Sequence, residues 1–245
     1  MLLPETTCVF GEYERDVLVR LGPFAPDAVL ATGSPRSNPE TASQAASPDD
    51  RMAVRHQLGV ADGDAMLVVT VANNPVGGDI HSVCMVARTL GGPLPGVHVV
   101  VKLHPIDRTD GTYETLLGGL ARAGGYPAPP VTVVRDIDLY RLLRAADAHL
   151  GQYSTVLTDA VVAGTPNMIA VGVGYNDHIG HEAARVAMPV RTVDDVRAFM
   201  RDPRPADPED RARFLDAHFE PGDATGRIAA ALRDAMAGRA LGANP

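Results

Sequence analysis

The chain has 245 residues, 45% of them hydrophobic, and a net charge of −8. That length suits one large domain or a domain with an appendage, and the acidic balance argues against duplex nucleic acid, which needs a basic face. No apolar run approaches the ~20 residues of a membrane span, and MLLPETTCVFGEYE lacks the basic and long apolar regions of a signal peptide. Cys8 and Cys84 form no CxxC pair and read as buried free thiols in a reducing compartment. A cytoplasmic protein is expected, with a peripheral place at the inner face of the membrane left open, since a partner can supply the anchor.

In chain order, residues 6–10 read as a short strand ending at Gly11. Glu12 to Leu21 has helical spacing, and 28–31 is a second strand. SPRSNPETASQAASPDD then reads as linker, dividing a 1–50 segment from a main domain at 51–245. Asp49 is the expected cap of a helix to about Leu58. The continuous apolar run 66–72 reads as a buried parallel strand. A helix over 80–90, a strand over 97–103, a helix over 113–123 and a strand over 131–134 follow. A helix over 139–145 and a strand over 148–151 lead to the stretch QYSTVLTDAVVAGTP, which reads as a polar knot opening a helix at Ser154 or Thr155. Strands over 167–173 and 190–193, a helix near 194–200 and a terminal helix over 224–237 complete the reading. Alternation at this spacing predicts a Rossmann-like, doubly wound α/β fold with five or six parallel strands from Met66 onward.

Ligands of such sheets bind at the carboxyl ends of the strands. Three of the expected loops there carry polar residues. Ser154 and Thr155 place two hydroxyls at a helix start, where unpaired N–H groups and the helix dipole favour an anion. Asp159, one turn in, suits the diol of a ribose beside that anion; plain N-capping is the alternative. In Lys102-Leu103-His104-Pro105, alternation turns Lys102 and His104 to one face. His104, held by the proline turn, is the candidate catalytic residue, able to neutralise charge on a departing phosphate. Asn73 and Asn74 close the first core strand as ligand contacts or turn formers. The backbone near Ile137 is positioned to read the edge of a base.

His178, His181 and Glu182 lack the HExxH spacing and have no further ligand cluster, so a loop approaching substrate is preferred to a metal site. No Gly-x-Gly-x-x-Gly follows the first core strand, no P-loop occurs, and Ser154 lacks the Gly-x-Ser-x-Gly elbow. These absences argue against a dehydrogenase, a kinase and a hydrolase.

KLHP, then D-x-D-L-Y-x-L-L-x-x-A-D, then S-T-x-x-x-D with Gly164-Thr165-Pro166 after it, resembles the C-terminal, donor-binding half of GT-B fold glycosyltransferases. The nearest resemblance is to bacterial surface-polysaccharide enzymes: CDP-glycerol glycerophosphotransferases and the HP-motif sialyltransferases. UDP-N-acetylglucosamine 2-epimerases share the layout. VFGEYERDVLVRLG…VLATGSPR resembles the passage from acceptor half to donor half, and FLDAHFEPGDATGRIAAAL the closing helix. The resemblance implies that His104, Ser154 and Thr155 bind the donor's phosphates and Asp159 its ribose. It implies transfer from a nucleotide-activated sugar, or a CDP- or CMP-activated donor, without metal or other cofactor. It also implies an acceptor domain of which only the last fragment is here, so that a partner protein or a homo-oligomer completes the enzyme. A non-catalytic nucleotide-binding module and a UDP-sugar 2-epimerase are the competing readings; Thr155-Val156 departs from the epimerase Ser-Gly-Gly pattern.

Overall fold

A computed structural model describes residues 4–37, 47–72, 80–107, 111–172 and 177–242. Asn73, Asn74, Val173 and much of the expected linker lie outside the described residues. The chain forms two compact units, one of residues 1–44 with 212–245, the other of 45–211.

In the first unit, β1 (Thr7–Val9) and β2 (Val29–Ala31) pair in parallel. Between them runs α1 (Glu12–Leu21), whose Glu14 carboxylate reaches back 3.1 Å to the Gly11 N–H and also holds the buried His218 at 3.0 Å. A Cβ at Gly11 would lie 2.5 Å from the His218 carbonyl carbon, so only glycine admits this approach.

The second unit opens with α2 (Pro48–Gln57). Its cap is Ser47, which accepts the Asp50 N–H at 3.1 Å, not Asp49 as expected. Proline is well suited to the first helical position, and here it moves the cap to the residue before it. The strands are β3 (Ala65–Thr70), β4 (Val97–Lys102), β5 (Val131–Val134), β6 (Ala148–Gly151), β7 (Asn167–Ala170) and β8 (Met188–Val190). All neighbours are parallel, in the order β5-β4-β3-β6-β7-β8. Relabelled from the first core strand this is 3-2-1-4-5-6, the Rossmann order, and the sheet is doubly wound as the sequence predicts.

The helices are α3 (Ile80–Leu90), α4 (Thr112–Gly124), α5 (Leu139–Ala145), α6 (Val156–Ala163), α7 (Val193–Met200) and α8 (Pro208–His218), which crosses the boundary between the units; α9 (Ala224–Gly242) belongs to the first unit. Strand alternation sorts the core onto two faces. Leu67, Val69, Val99 and Val101 pack with Met85 and Leu90 of α3, Tyr113 and Leu117 of α4, and Val196 of α7. Met66, Val68 and Val100 pack with Val54 of α2 and with Leu142 and Ala145 of α5. Each such side chain contributes about 1.5–3 kcal/mol by leaving water, which is why β3 reads as an unbroken apolar run and β4, apart from His98, as nearly one.

Three expectations are corrected. The strand expected at 190–193 is at 188–190, because Thr192 and Asp195 form a capping box that starts α7 at Val193. Helix α8 was not expected; Asp207 opens it by accepting the Glu209 N–H at 2.9 Å. Cys8 and Cys84 are free, but both are exposed, on the outward positions of β1 and α3.

Candidate functional site

The strand order reverses between β3 and β6, and in open α/β sheets the crevice beyond the carboxyl ends at that point receives ligands. Thr70, the last residue of β3, pairs with Lys102 of β4 on one side, while Val69 pairs with Leu150 of β6 on the other. The chain leaving β4 carries His104, and the chain leaving β6 carries Ser154 and Thr155. These strand ends stand two strand spacings apart, about 9.5 Å.

After β6 the backbone turns sharply. Tyr153 takes φ +52, a conformation bulky residues seldom adopt. A Cβ at Gly151 would lie 3.0 Å from the His149 ring and 3.1 Å from the Thr70 hydroxyl, so glycine lets the strand end lie close to both. Helix α6 starts at Val156 with Thr155 as its cap residue. The Ser154 hydroxyl accepts the Val156 N–H at 3.2 Å and the Ser154 carbonyl accepts the Leu157 N–H at 3.1 Å. The expectation that the first-turn N–H groups stand unpaired is therefore corrected: two are bonded locally to Ser154, which accepts them while its O–H remains a candidate donor. Thr155 is exposed and makes no side-chain capping bond.

His104 is exposed. Its Nδ1 accepts the Ile106 N–H at 3.3 Å, which orients the ring through the proline turn. Lys102 is half-buried and donates to the Leu103 carbonyl at 2.8 Å. Burial lowers its pKa below the ordinary lysine value, against the opposing charge of Asp136. Ile137 packs against the apolar cluster of α2 and α5. Asp159 is only 3% exposed, and its carboxylate accepts the Tyr140 hydroxyl at 2.7 Å. Thus Lys102, His104, Ser154 and Thr155 share the carboxyl edge, whereas the Asp159 side chain is buried behind the first turn of α6 and that of Ile137 joins the core.

A pocket of about 200 Å³ adjoins the Ser154 turn, with Leu157 and Ile169 as apolar lining and Asp177, His178 and His181 on another side. His181 is 2% exposed. Its Nδ1 meets Asp177 at 3.0 Å and its Nε2 meets the Thr158 hydroxyl at 2.9 Å. Burial would raise the pKa of Asp177, but N–H donors from Glu182 and His181 outweigh it and hold the carboxyl below its ordinary range. Among the described residues, no group of three or more histidines, cysteines and acids is arranged to hold a metal ion.

Beneath the crevice lies a second polar chain. His149 is fully buried, with Nδ1 2.7 Å from Asn167 Oδ1 and Nε2 2.8 Å from the Thr70 hydroxyl. Asn167 Nδ2 donates to the Leu157 carbonyl at 3.0 Å. That donation makes Asn167 Oδ1 the acceptor, so Nδ1 of His149 carries the proton and Nε2 accepts from Thr70. Burial lowers the His149 pKa to about 4, against the Asn167 hydrogen bond and the charge of Asp159. The sequence reading missed the roles of Tyr140, His149, Thr158 and Asn167. Period-2 and helical patterns mark these positions as buried or polar, but not their partners.

No protein-family model matches the chain, and no curated protein matches it. Solved structures do. Anabaena Alr3699/HepE, in complex with UDP and glucose, superposes with a TM-score of 0.56 at 14% identity over 95% of this chain and 64% of that one. The wall teichoic acid polymerase TagF gives 0.55 at 10% identity over 96% and 59%. WaaG, a glycosyltransferase involved in lipopolysaccharide biosynthesis, gives 0.51 at 15% over 86% and 56%. The chain thus spans about three-fifths of the length of the proteins it matches. Among the described residues no helix is long and apolar enough to cross a membrane. The chain shares its Rossmann-like α/β architecture with GT-B glycosyltransferases.

Proposed function

We propose that this chain is the donor-binding part of a glycosyltransferase, holding a nucleotide-activated sugar or a CDP- or CMP-activated donor in the crevice between β3 and β6. The observation that carries the reading is the reversal of strand order there, with His104 on one side and the Ser154–Thr155 turn on the other. The phosphates lie at the start of α6 and take O–H donors from Ser154 and Thr155. His104, whose Nδ1 accepts the Ile106 N–H and whose Nε2 therefore carries the proton, turns that Nε2–H to the departing phosphate and donates to it as charge develops. Lys102 adds positive potential, the Asn73 and Asn74 amides are further proposed phosphate contacts, and the backbone at Ile137 borders the base. A ribose contact by Asp159 is not part of this reading, since the carboxylate is buried and accepts the Tyr140 hydroxyl. Acceptor binding belongs to a further domain, a partner protein or a second copy, and the transfer serves surface polysaccharide or glycoconjugate synthesis, the kind of synthesis in which the wall teichoic acid polymerase TagF and the lipopolysaccharide glycosyltransferase WaaG take part. No metal enters this scheme.

Thermal melting with UDP, CDP, CMP, GDP and their sugar conjugates tests the reading. A nucleotide at ~100 times its dissociation constant should add ~2.7 kcal/mol. The gain should vanish in His104→Ala and Ser154→Ala with the fold retained. Absence of any shift for every nucleotide would overturn the proposal.

A further inference from the structure

The connection from β7 to β8 runs from 171 to 187 and contains no helix or strand among its described residues, 171–172 and 177–187. Irregular connections of this length are uncommon in compact domains unless something holds them. Here two contacts with α6 do so. Ala187 packs with Leu157 and Ile169 in a small buried cluster. One residue on, Thr158 bonds His181 at 2.9 Å, and His181 bonds Asp177 at 3.0 Å. Asp177 in turn accepts the Gly180 N–H at 3.0 Å and the Glu182 N–H at 2.8 Å, while the His181 carbonyl accepts the Val186 N–H at 2.9 Å. The segment is thus folded about the Asp177–His181 pair, and the pair's outer nitrogen is fastened to the third residue of α6.

We propose that Thr158, His181 and Asp177 form a positioning relay that fixes the first turn of α6, and with it the Ser154–Thr155 donors, against the 177–187 segment. The proposal rests on the nucleotide reading for its consequence, but not for its mechanism. A phosphate receives its hydrogen bonds only if the donors are held in place, and displacements near 1 Å cost affinity and rate. Ser154 and Thr155 sit on a turn whose backbone is unfavourable at Tyr153, so something outside the turn must hold it. One such tie is Thr158, on the same helix, bonded to His181 of the 177–187 segment. His181 touches no phosphate in this scheme: both its ring nitrogens are engaged and it is 2% exposed. The Thr158 hydroxyl can donate to a neutral imidazole or accept from a protonated one, so the tie holds in both charge states.

The test compares wild type, Thr158→Val and Thr158→Ser by calorimetric titration with UDP and CDP and by hydrogen exchange at the amides of residues 154–159. Valine keeps the shape and loses the hydroxyl; serine keeps the hydroxyl. The expected result is about tenfold weaker nucleotide binding in Thr158→Val, one lost hydrogen bond. Exchange in the first turn of α6 should be faster in that variant. Thr158→Ser should stay within about twofold of wild type on both readouts. Equal affinity in all three proteins, or serine as damaging as valine, would overturn the proposal. If wild type binds neither nucleotide, the melting series with all the nucleotides decides the donor-site reading, and exchange alone decides the relay. Faster exchange in valine but not serine upholds it; identical exchange in all three refutes it.

Discussion

The two halves of the six-stranded sheet are held together by different forces. On the β3-β4-β5 side, the interior of β3 and β4 is largely Met, Leu and Val at or near zero exposure, and helices α3 and α4 supply the crossovers. On the β6-β7-β8 side, the strands are shorter and bury His149 and Asn167, and the last crossover is irregular. Apolar burial is non-directional and tolerates small shifts; hydrogen-bond chains fix relative positions but are costly when one member is lost. The first half therefore acts chiefly as the support and presents Lys102 and His104 at its edge, while the Ser154–Thr155 donors depend on the hydrogen-bonded geometry of the second.

Removing apolar volume from the supporting half should have the largest effect. Leu67→Ala, at a position of zero exposure, should cost about 3 kcal/mol in a denaturant titration. A cost below 1 kcal/mol would mean that this half is not closely packed and would break the comparison.

The polar half should show itself in pH. His149 has a folded pKa of about 4, below the ordinary 6.5. Between those values the unfolded chain binds the extra proton. Stability is thus full above pH 6.5 and falls as pH drops toward 4, by about 3 kcal/mol in all. Chemical denaturation at a series of pH values should show that slope in wild type and a flatter one in His149→Gln. An equal slope in both proteins would assign the acid sensitivity elsewhere.

Arg211 sharpens the comparison at the far end of α6, where its guanidinium donates to the Val161 and Val162 carbonyls at 2.8 Å each. Such a cation offsets the negative end of the helix. Its burial lowers its pKa. Arg211→Ala should lower stability by about 2 kcal/mol, read as a lower denaturation midpoint. No change there would show that α6 is held from its first turn alone.

The smallest effect on stability is expected for Ser154→Ala, which removes the acceptor of the Val156 N–H at an exposed turn and costs about 0.5–1 kcal/mol. If apo stability instead falls by several kcal/mol, Ser154 is chiefly a structural cap and its assignment as a phosphate contact weakens.

The alternation of apolar strands with amphipathic helices was plain in the residues, because burial on both faces demands largely apolar runs such as MLVV and VVV, and helix α3 has the bounds its spacing predicts. The positions of His104 and Ser154 at strand ends followed from the same reading. What patterning did not reveal were pairings between distant residues. Asp159 reads as an available carboxylate until Tyr140, 19 positions earlier, is seen to occupy it. His181 reads as a metal ligand or loop residue until Asp177 and Thr158 are found on either side.

The residues by themselves decided which segments become strands and helices, since those choices depend on local propensity and on which side chains avoid water. Strand order, the switch point it creates and the partners of each buried polar group were decided only by the tertiary fold. A hydrogen bond depends on a few tenths of an ångström between groups that chain order leaves far apart, and no local pattern encodes that distance.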